Sequence, residues 1–335
     1  MSNATEAALI KKLTKPGQSP DEYLSGILGS GYDEYRTLWA NAGKGDIGDF
    51  PLQLDFQLNN RCNYRCPICY WSNPEQLQDS LEPPTEFPFA EFCRIVTQGM
   101  QSGYLKVINF EGLNEPLLKK DLPDYISFAK KAGVIDLTLH TNGLLLDDEW
   151  SKRLIQSGLT RLMVSIDAFS QETYYKVRGS RKYTAVLKNI LNFLKLRKEM
   201  NAVLPILRVS FVFQPVNKHE VDDFREYWEQ YADYILIQPL IDMTSLVHDD
   251  DYKNVEGEFC SQPFYRMSIK ANGDVFPRCC SIGHVQLSDG GNVFREDISQ
   301  LWRRESFERI RRLMKAGRYY EIPACKICLD HVFFY

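Results

Sequence analysis

Residues 62–69 read Cys62-Asn63-Tyr64-Arg65-Cys66-Pro67-Ile68-Cys69. Three thiols at this spacing on one loop suit three corners of an iron–sulfur cube and leave the fourth iron without a protein ligand. An iron with an open position can bind and transform a small molecule, whereas a fully ligated cluster carries electrons or supports the fold. The alternative for such a loop is structural zinc, which normally takes four protein ligands, often as two separated pairs. Here no fourth Cys or His stands beside the three. The pattern therefore points to an enzyme.

The surrounding sequence places this loop. Short apolar runs rich in β-branched residues occur at 52–58, 105–110, 136–140, 161–166, 206–213 and 234–239. Helix-like stretches lie between them near 86–101, 122–132, 147–157, 183–198 and 218–231. Repeated strand–helix units imply a parallel sheet with right-handed connections. The expected fold is α/β, a partial (β/α)6 parallel barrel over residues 50–245. Functional residues should gather where strands end, on the C-terminal face. The cysteine loop directly follows the first strand. Residues 1–49 read as a helical lead-in, with Pro16, Pro20 and several glycines ahead of Tyr35, Leu38 and Trp39.

A second cysteine group, Cys260, Cys279, Cys280, Cys325 and Cys328, falls in a region from 255 to 335. Short strands, the turn Asp289-Gly290-Gly291-Asn292 and a helix around 298–314 are expected there. So small a module has little apolar core, and metal ligands commonly substitute for it.

Bulk properties narrow the class. The 335-residue chain is 44% hydrophobic and 25% charged, with a formal net charge of -4. That balance suggests neither a nucleic-acid groove nor a membrane surface as partner. The basic run Arg303, Arg304, Arg309, Arg311 and Arg312 is interleaved with Glu305 and Glu308 and reads as a solvated helix face. No run of about 18 apolar residues is present. Nothing resembles a signal peptide. The nine cysteines are not spaced like a secreted disulfide scaffold. A cytoplasmic, reducing setting is expected, with thiols kept for metal.

The Cys62-x3-Cys66-x2-Cys69 motif resembles the cluster loop of the radical S-adenosylmethionine (SAM) enzymes. That resemblance implies a 4Fe–4S cluster whose open iron chelates the amino and carboxylate groups of SAM, and a 5′-deoxyadenosyl radical that takes hydrogen from a substrate. It also implies an apolar contact of Ile68 with adenine. Glu111-Gly112-Leu113-Asn114-Glu115-Pro116-Leu117 is similar to the family's Gly-Gly-Glu segment, which binds the methionine ammonium. Asn114 replaces the usual Gly, and Glu115 would supply the charge. Taken alone, the segment is equally a turn ended by Pro116. Asn142, in His140-Thr141-Asn142-Gly143, matches a further segment and also a plain Asn-Gly turn. Ser165 and Asp167 match positions used for the ribose hydroxyls, on one strand face if the alternation continues. Asp167 would serve equally as a helix cap. Arg178 matches a recurrent position for the SAM carboxylate or for substrate.

The second cysteine group resembles the auxiliary-cluster module called SPASM, or twitch in its shortened form. One further 4Fe–4S cluster held by Cys260, Cys279, Cys325 and Cys328 is implied, with Cys280 competing for Cys279 and four-cysteine zinc as the alternative. Relatives with one auxiliary cluster carry out dehydrogenation or epimerisation. Cys280 is then the candidate hydrogen donor, ahead of Cys93, which free-thiol burial places in the core. The expected function is an oxidoreductase or epimerase acting on a carbohydrate-like small molecule, such as a sugar or nucleotide-sugar. It would be reduced by a flavodoxin or ferredoxin. Maturation of a ribosomally made peptide is the second reading, and a non-catalytic metal-stabilised scaffold the third.

Overall fold

The computed structural model describes residues 9–11, 19–69, 72, 83–240, 260–276, 290–323 and 325–326. Its strands are β1 (Leu9–Lys11), β2 (Gln53–Phe56), β3 (Val107–Phe110), β4 (Asp136–Thr141), β5 (Arg161–Ser165), β6 (Ile206–Phe213), β7 (Tyr234–Pro239), β8 (Arg266–Ile269) and β9 (Val275–Phe276). They form one sheet in the order β1-β7-β6-β5-β4-β3-β2-β8-β9. Strands β2 to β7 are consecutive and parallel. They are the six strands expected of the partial barrel, and the sheet does not close on itself.

The helices are α1 (Pro20–Leu28), α2 (Ser30–Ala42), α3 (Phe89–Gln101), α4 (Leu122–Ala132), α5 (Asp148–Gln156), α6 (Gln171–Arg178), α7 (Tyr183–Glu199), α8 (Val221–Trp228), α9 (Ile298–Trp302) and α10 (Glu305–Lys315). Local chemistry sets their ends. Asp147 caps α5 by accepting from the Trp150 N–H at 2.8 Å, and Gly133 ends α4 in the left-handed conformation, as such caps require. Helix α6 is missing from the sequence expectation, although Ser170 caps its start and left-handed Gly179 its end.

Alternation along the strands sorts side chains to two faces. Leu54, Phe56, Ile108, Phe110, Leu139, Val164 and Val209 face the helices and share one apolar core with Phe92, Ile126 and Phe193. The opposite face carries Asp55, Asp136, His140, Arg161, Arg208 and Arg266, and forms the lumen. A sheet face so rich in charge is stable only if the charges are paired or hydrogen-bonded.

The C-terminal region is joined to the barrel. Strand β8 pairs in parallel with β2, Asp55 opposite Ser268, and so adds a seventh parallel strand to the wall. The expected single helix around 298–314 is broken at Arg303 and Arg304. Arg311 causes this corner to close. It is 2% exposed, stacks 3.8 Å above the Trp302 ring and donates to the carbonyls of Pro263 at 2.9 Å and Trp302 at 2.7 Å. It is not part of a solvated face, as its spacing suggested.

The lead-in also differs from a purely helical segment, because β1 pairs antiparallel with β7. Its helices close the lower end of the lumen. Asp136 binds Arg161 at 2.9 Å, and Arg161 reaches Asp21 at 3.2 Å and the Tyr32 hydroxyl. With Asp136 2% and Arg161 9% exposed, Asp136→Ala would take from a buried guanidinium its most buried counter-ion, leaving it Asp21 and Tyr32. We expect it to lower the unfolding free energy by about 3–5 kcal/mol, measured by urea denaturation, and Tyr32→Phe by about 1 kcal/mol.

Candidate active site

The loop after β2 is held by its neighbours. Glu115 donates its N–H to the Arg61 carbonyl at 2.8 Å, and Asn59 donates to the Glu115 carbonyl at 3.2 Å. The Glu115 side chain, 1% exposed, accepts from the Leu117 N–H at 3.1 Å, the Thr141 hydroxyl at 2.6 Å and the Asn142 N–H at 2.8 Å. Burial raises its pKa, opposed by these bonds. Asn142 in turn donates to Asn63 at 2.7 Å and accepts from the Leu144 N–H at 3.0 Å. Glu115 and Asn142 thus fasten the ends of β3 and β4 to the cysteine loop, a positioning role that the motifs alone did not reveal.

Helix α6 fastens the other side. The Tyr64 and Tyr174 hydroxyls lie 3.1 Å apart. A Cβ on Gly179 would stand 2.6 Å from the Arg65 carbonyl oxygen, so only glycine lets helix and loop approach. Arg178 places Nη1 3.8 Å from the Cys66 sulfur and Nη2 2.6 Å from Asp167.

Asp167 departs from the expectation that it shares a strand face with Ser165. Strand β5 ends at Ser165, and Asp167 has a φ of 60°, so the strand alternation stops before reaching it. Its carboxylate is 2% exposed and accepts from the Val212 N–H at 2.8 Å besides pairing with Arg178. Burial raises its pKa, and Arg178 pulls it back. Ser165 alone remains partly exposed on the lumen side.

Cys62, Cys66 and Cys69 form no disulfide among the described residues and pack against the core. Burial pushes the Cys62 thiol up to about 12, and Glu115, Cys66 and Cys69 add to the effect. A thiol that resists ionisation is deprotonated when it ligates a metal centre. Among the described residues no three of His, Cys, Asp and Glu converge on one point as ligands of a single ion would. A cubane asks instead that each thiolate take its own corner. Beside the loop, both polar atoms of the Asn114 side chain are buried without a partner, which suits a bound polar ligand. Gly112, with φ 152°, leaves no room for a Cβ beside Gln57, at 2.8 Å. Ile68 packs at the core margin.

Of the second group, Cys260 and Cys325 pack against one apolar cluster containing Phe264, Tyr265 and Ile322. Cys279, Cys280 and Cys328 lie outside the described residues.

The order of parts, a cysteine loop after the first of six parallel strands and a cysteine-bearing module joined to the wall, matches known families. The model described as the radical SAM superfamily matches residues 56–227, about half of the chain. The chain belongs to the radical SAM superfamily. The SPASM model, an iron–sulfur cluster-binding domain, matches residues 260–329. Radical SAM membership brings a 4Fe–4S cluster and SAM as cofactors, and the SPASM match brings an auxiliary cluster. The thiol trio and the orphaned Asn114 amide fit the first two.

A probable GTP 3′,8-cyclase of Methanocaldococcus jannaschii is 29% identical over 174 residues, covering 52% of this chain and 54% of the cyclase. The chain thus spans about half the length of that relative. The tungsten-containing aldehyde ferredoxin oxidoreductase cofactor-modifying protein of Pyrococcus furiosus is 23% identical over 319 residues, covering 82% and 86%. Among solved structures, BtrN in complex with AdoMet and 2-DOIA aligns at a TM-score of 0.52 and 18% identity, covering 84% of this chain and 93% of BtrN. Streptococcus suis SuiB bound to precursor peptide SuiA aligns at 0.57 and 17%, covering 90% and 74%. At these identities the likeness is one of fold. Among the described residues no helix is long and apolar enough to cross a membrane.

Arg178 beside the Cys66 sulfur has a measurable consequence. A cation there favours the more negative, reduced state of a cluster. Arg178→Gln should make the midpoint potential of the first cluster more negative by tens of millivolts, read by spectroscopic redox titration of anaerobic protein.

Proposed function

We propose that this radical SAM enzyme takes a hydrogen atom from a carbohydrate-like small molecule and gives a dehydrogenated or epimerised product. The observation that carries the reading is the cysteine loop clamped at the mouth of a lumen whose wall is polar and charged. A site for a hydroxyl-rich molecule needs such fixed hydrogen-bonding groups. BtrN, whose structure holds AdoMet and 2-DOIA, is matched over 93% of its length, in keeping with a small-molecule substrate.

Cys62, Cys66 and Cys69 would hold the first cluster. Gly112 and Asn114 would meet the methionine end of SAM, Ser165 the ribose and Ile68 the adenine. Glu115, Asn142, Asp167 and Arg178 would act behind them, by fixing the loop. Bound together, the cluster and SAM supply a 5′-deoxyadenosyl radical. Cys260, Cys279, Cys325 and Cys328 would hold the auxiliary cluster, leaving Cys280 as a thiol able to return hydrogen. A flavodoxin- or ferredoxin-type donor would supply the electron. The lumen wall encloses the reacting carbon and keeps bulk water from it.

Anaerobic, reconstituted protein given a reductant and SAM should form 5′-deoxyadenosine, and Cys66→Ala should form none. Absence of the nucleoside from the iron-loaded parent protein would sink the proposal. With substrate in deuterated water, epimerisation should place deuterium on carbon and be lost in Cys280→Ala. Dehydrogenation should instead give a product lighter by two hydrogens, measured by mass spectrometry.

A further inference from the structure

The cations of the lumen are unequally served. Arg266 pairs with Asp55 and Glu111 and donates to Gln262 at 3.1 Å. Arg161 is held by Asp136, Asp21 and Tyr32. Glu111 is shared between Arg266 and His140, whose Nε2 lies 3.1 Å away. Burial, with Arg208 and Arg266 adding to it, holds the His140 pKa well below its usual value, so the ring bonds Glu111 as a neutral donor. The half-buried Arg208 side chain feels the charge of Glu111 but makes no hydrogen bond or ion pair among the described residues, and its Nε is buried without a partner.

Two more polar groups beside it are in the same condition. Register places Tyr234 directly opposite Arg208 on the neighbouring strand. Ser210 lies two residues along β6, on the same face. The Tyr234 and Ser210 hydroxyls are buried without partners, in residues 2% and 6% exposed. The Arg208 Nε and two neighbouring hydroxyls, all buried without a partner, are costly groups to leave unsatisfied. The same three donors would satisfy the several acceptor oxygens of one anion.

We propose that Arg208, Ser210 and Tyr234 form a subsite for an oxyanion carried by the substrate, a phosphate or a carboxylate. Ser210 pairs in register with Ser165, so Arg208 lies two residues, roughly 7 Å, deeper than the Ser165 layer. The anion would enter first and leave the rest of the molecule towards the cysteine loop. Assigning the anion to a substrate rests on the radical-enzyme reading above, whereas anion binding itself does not depend on turnover.

The test is anaerobic titration calorimetry of reconstituted protein with SAM present, using inorganic pyrophosphate and, separately, malonate. Saturable binding of pyrophosphate alone assigns a phosphate, and of malonate alone a carboxylate. Arg208→Gln should weaken it at least about tenfold. Arg312→Gln, on an exposed helix face, should leave it unchanged. In the ligand-free protein, Arg208→Met should melt at a higher temperature, because it removes a half-buried cation that has no ion pair and a buried Nε with no partner; an arginine with a structural role would melt lower when replaced. Failure of both anions to bind, undiminished binding by Arg208→Gln, a lowered melting temperature for Arg208→Met, or loss of SAM affinity in place of anion affinity would each overturn the subsite. A protein that binds the anion through Arg208 yet makes no 5′-deoxyadenosine would overturn the reaction and leave the subsite standing.

Discussion

One buried carboxylate organises the mouth of this barrel. Glu115 receives bonds from its own turn, from Thr141 and from Asn142, while its backbone holds the residue before Cys62. Three loops from three strands meet there. A carboxylate accepting several short bonds inside a protein is rigid, because each lost bond would leave a donor unsatisfied. Cluster loops need such rigidity. Three thiolates must stay at fixed corners while the fourth position is left to solvent or ligand.

The other clamp is ionic. Asp167 and Arg178 would each be expensive alone at their burial, and together they neutralise one another. Arg178 then presents its remaining edge to the Cys66 sulfur. This arrangement takes two residues whose sequence context suggests ligand contact and uses them to support the cluster loop. The residues that face open lumen, Ser165 and the Arg208 group, are less conspicuous in the sequence.

What could be read in advance follows from how far each feature depends on local order. The six parallel strands were legible because each is a short run of apolar residues between helical stretches, and the observed ends fall within three residues of the expected ones. The cysteine loop was legible because its chemistry is contained in eight residues. Helix α6 was missed because it is only eight residues long and shows no apolar stripe, although Ser170 and Gly179 marked its ends. Asp167 lies off the Ser165 face because the strand ends at Ser165 and the chain takes a positive φ at Asp167. Arg311 looked solvated because its spacing matched an ion-paired face; a carbonyl 48 residues away draws it inward. The lumen charges were the least legible, since pairing across strands is set by register. One signal was present: Arg208 and Ser210 interrupt the apolar residues of this strand at a spacing of two.

The bond between Arg266 and Asp55 spans 211 residues of chain. At a synthesis rate of roughly 5–20 residues per second, the first barrel strand waits some ten to forty seconds for its outer neighbour. Throughout that interval two acidic side chains on the nascent sheet lack their counter-ion, and one sheet edge stays open. The half-built protein is therefore a distinct, edge-exposed species, and the late-emerging strand is the step that commits it to a finished wall.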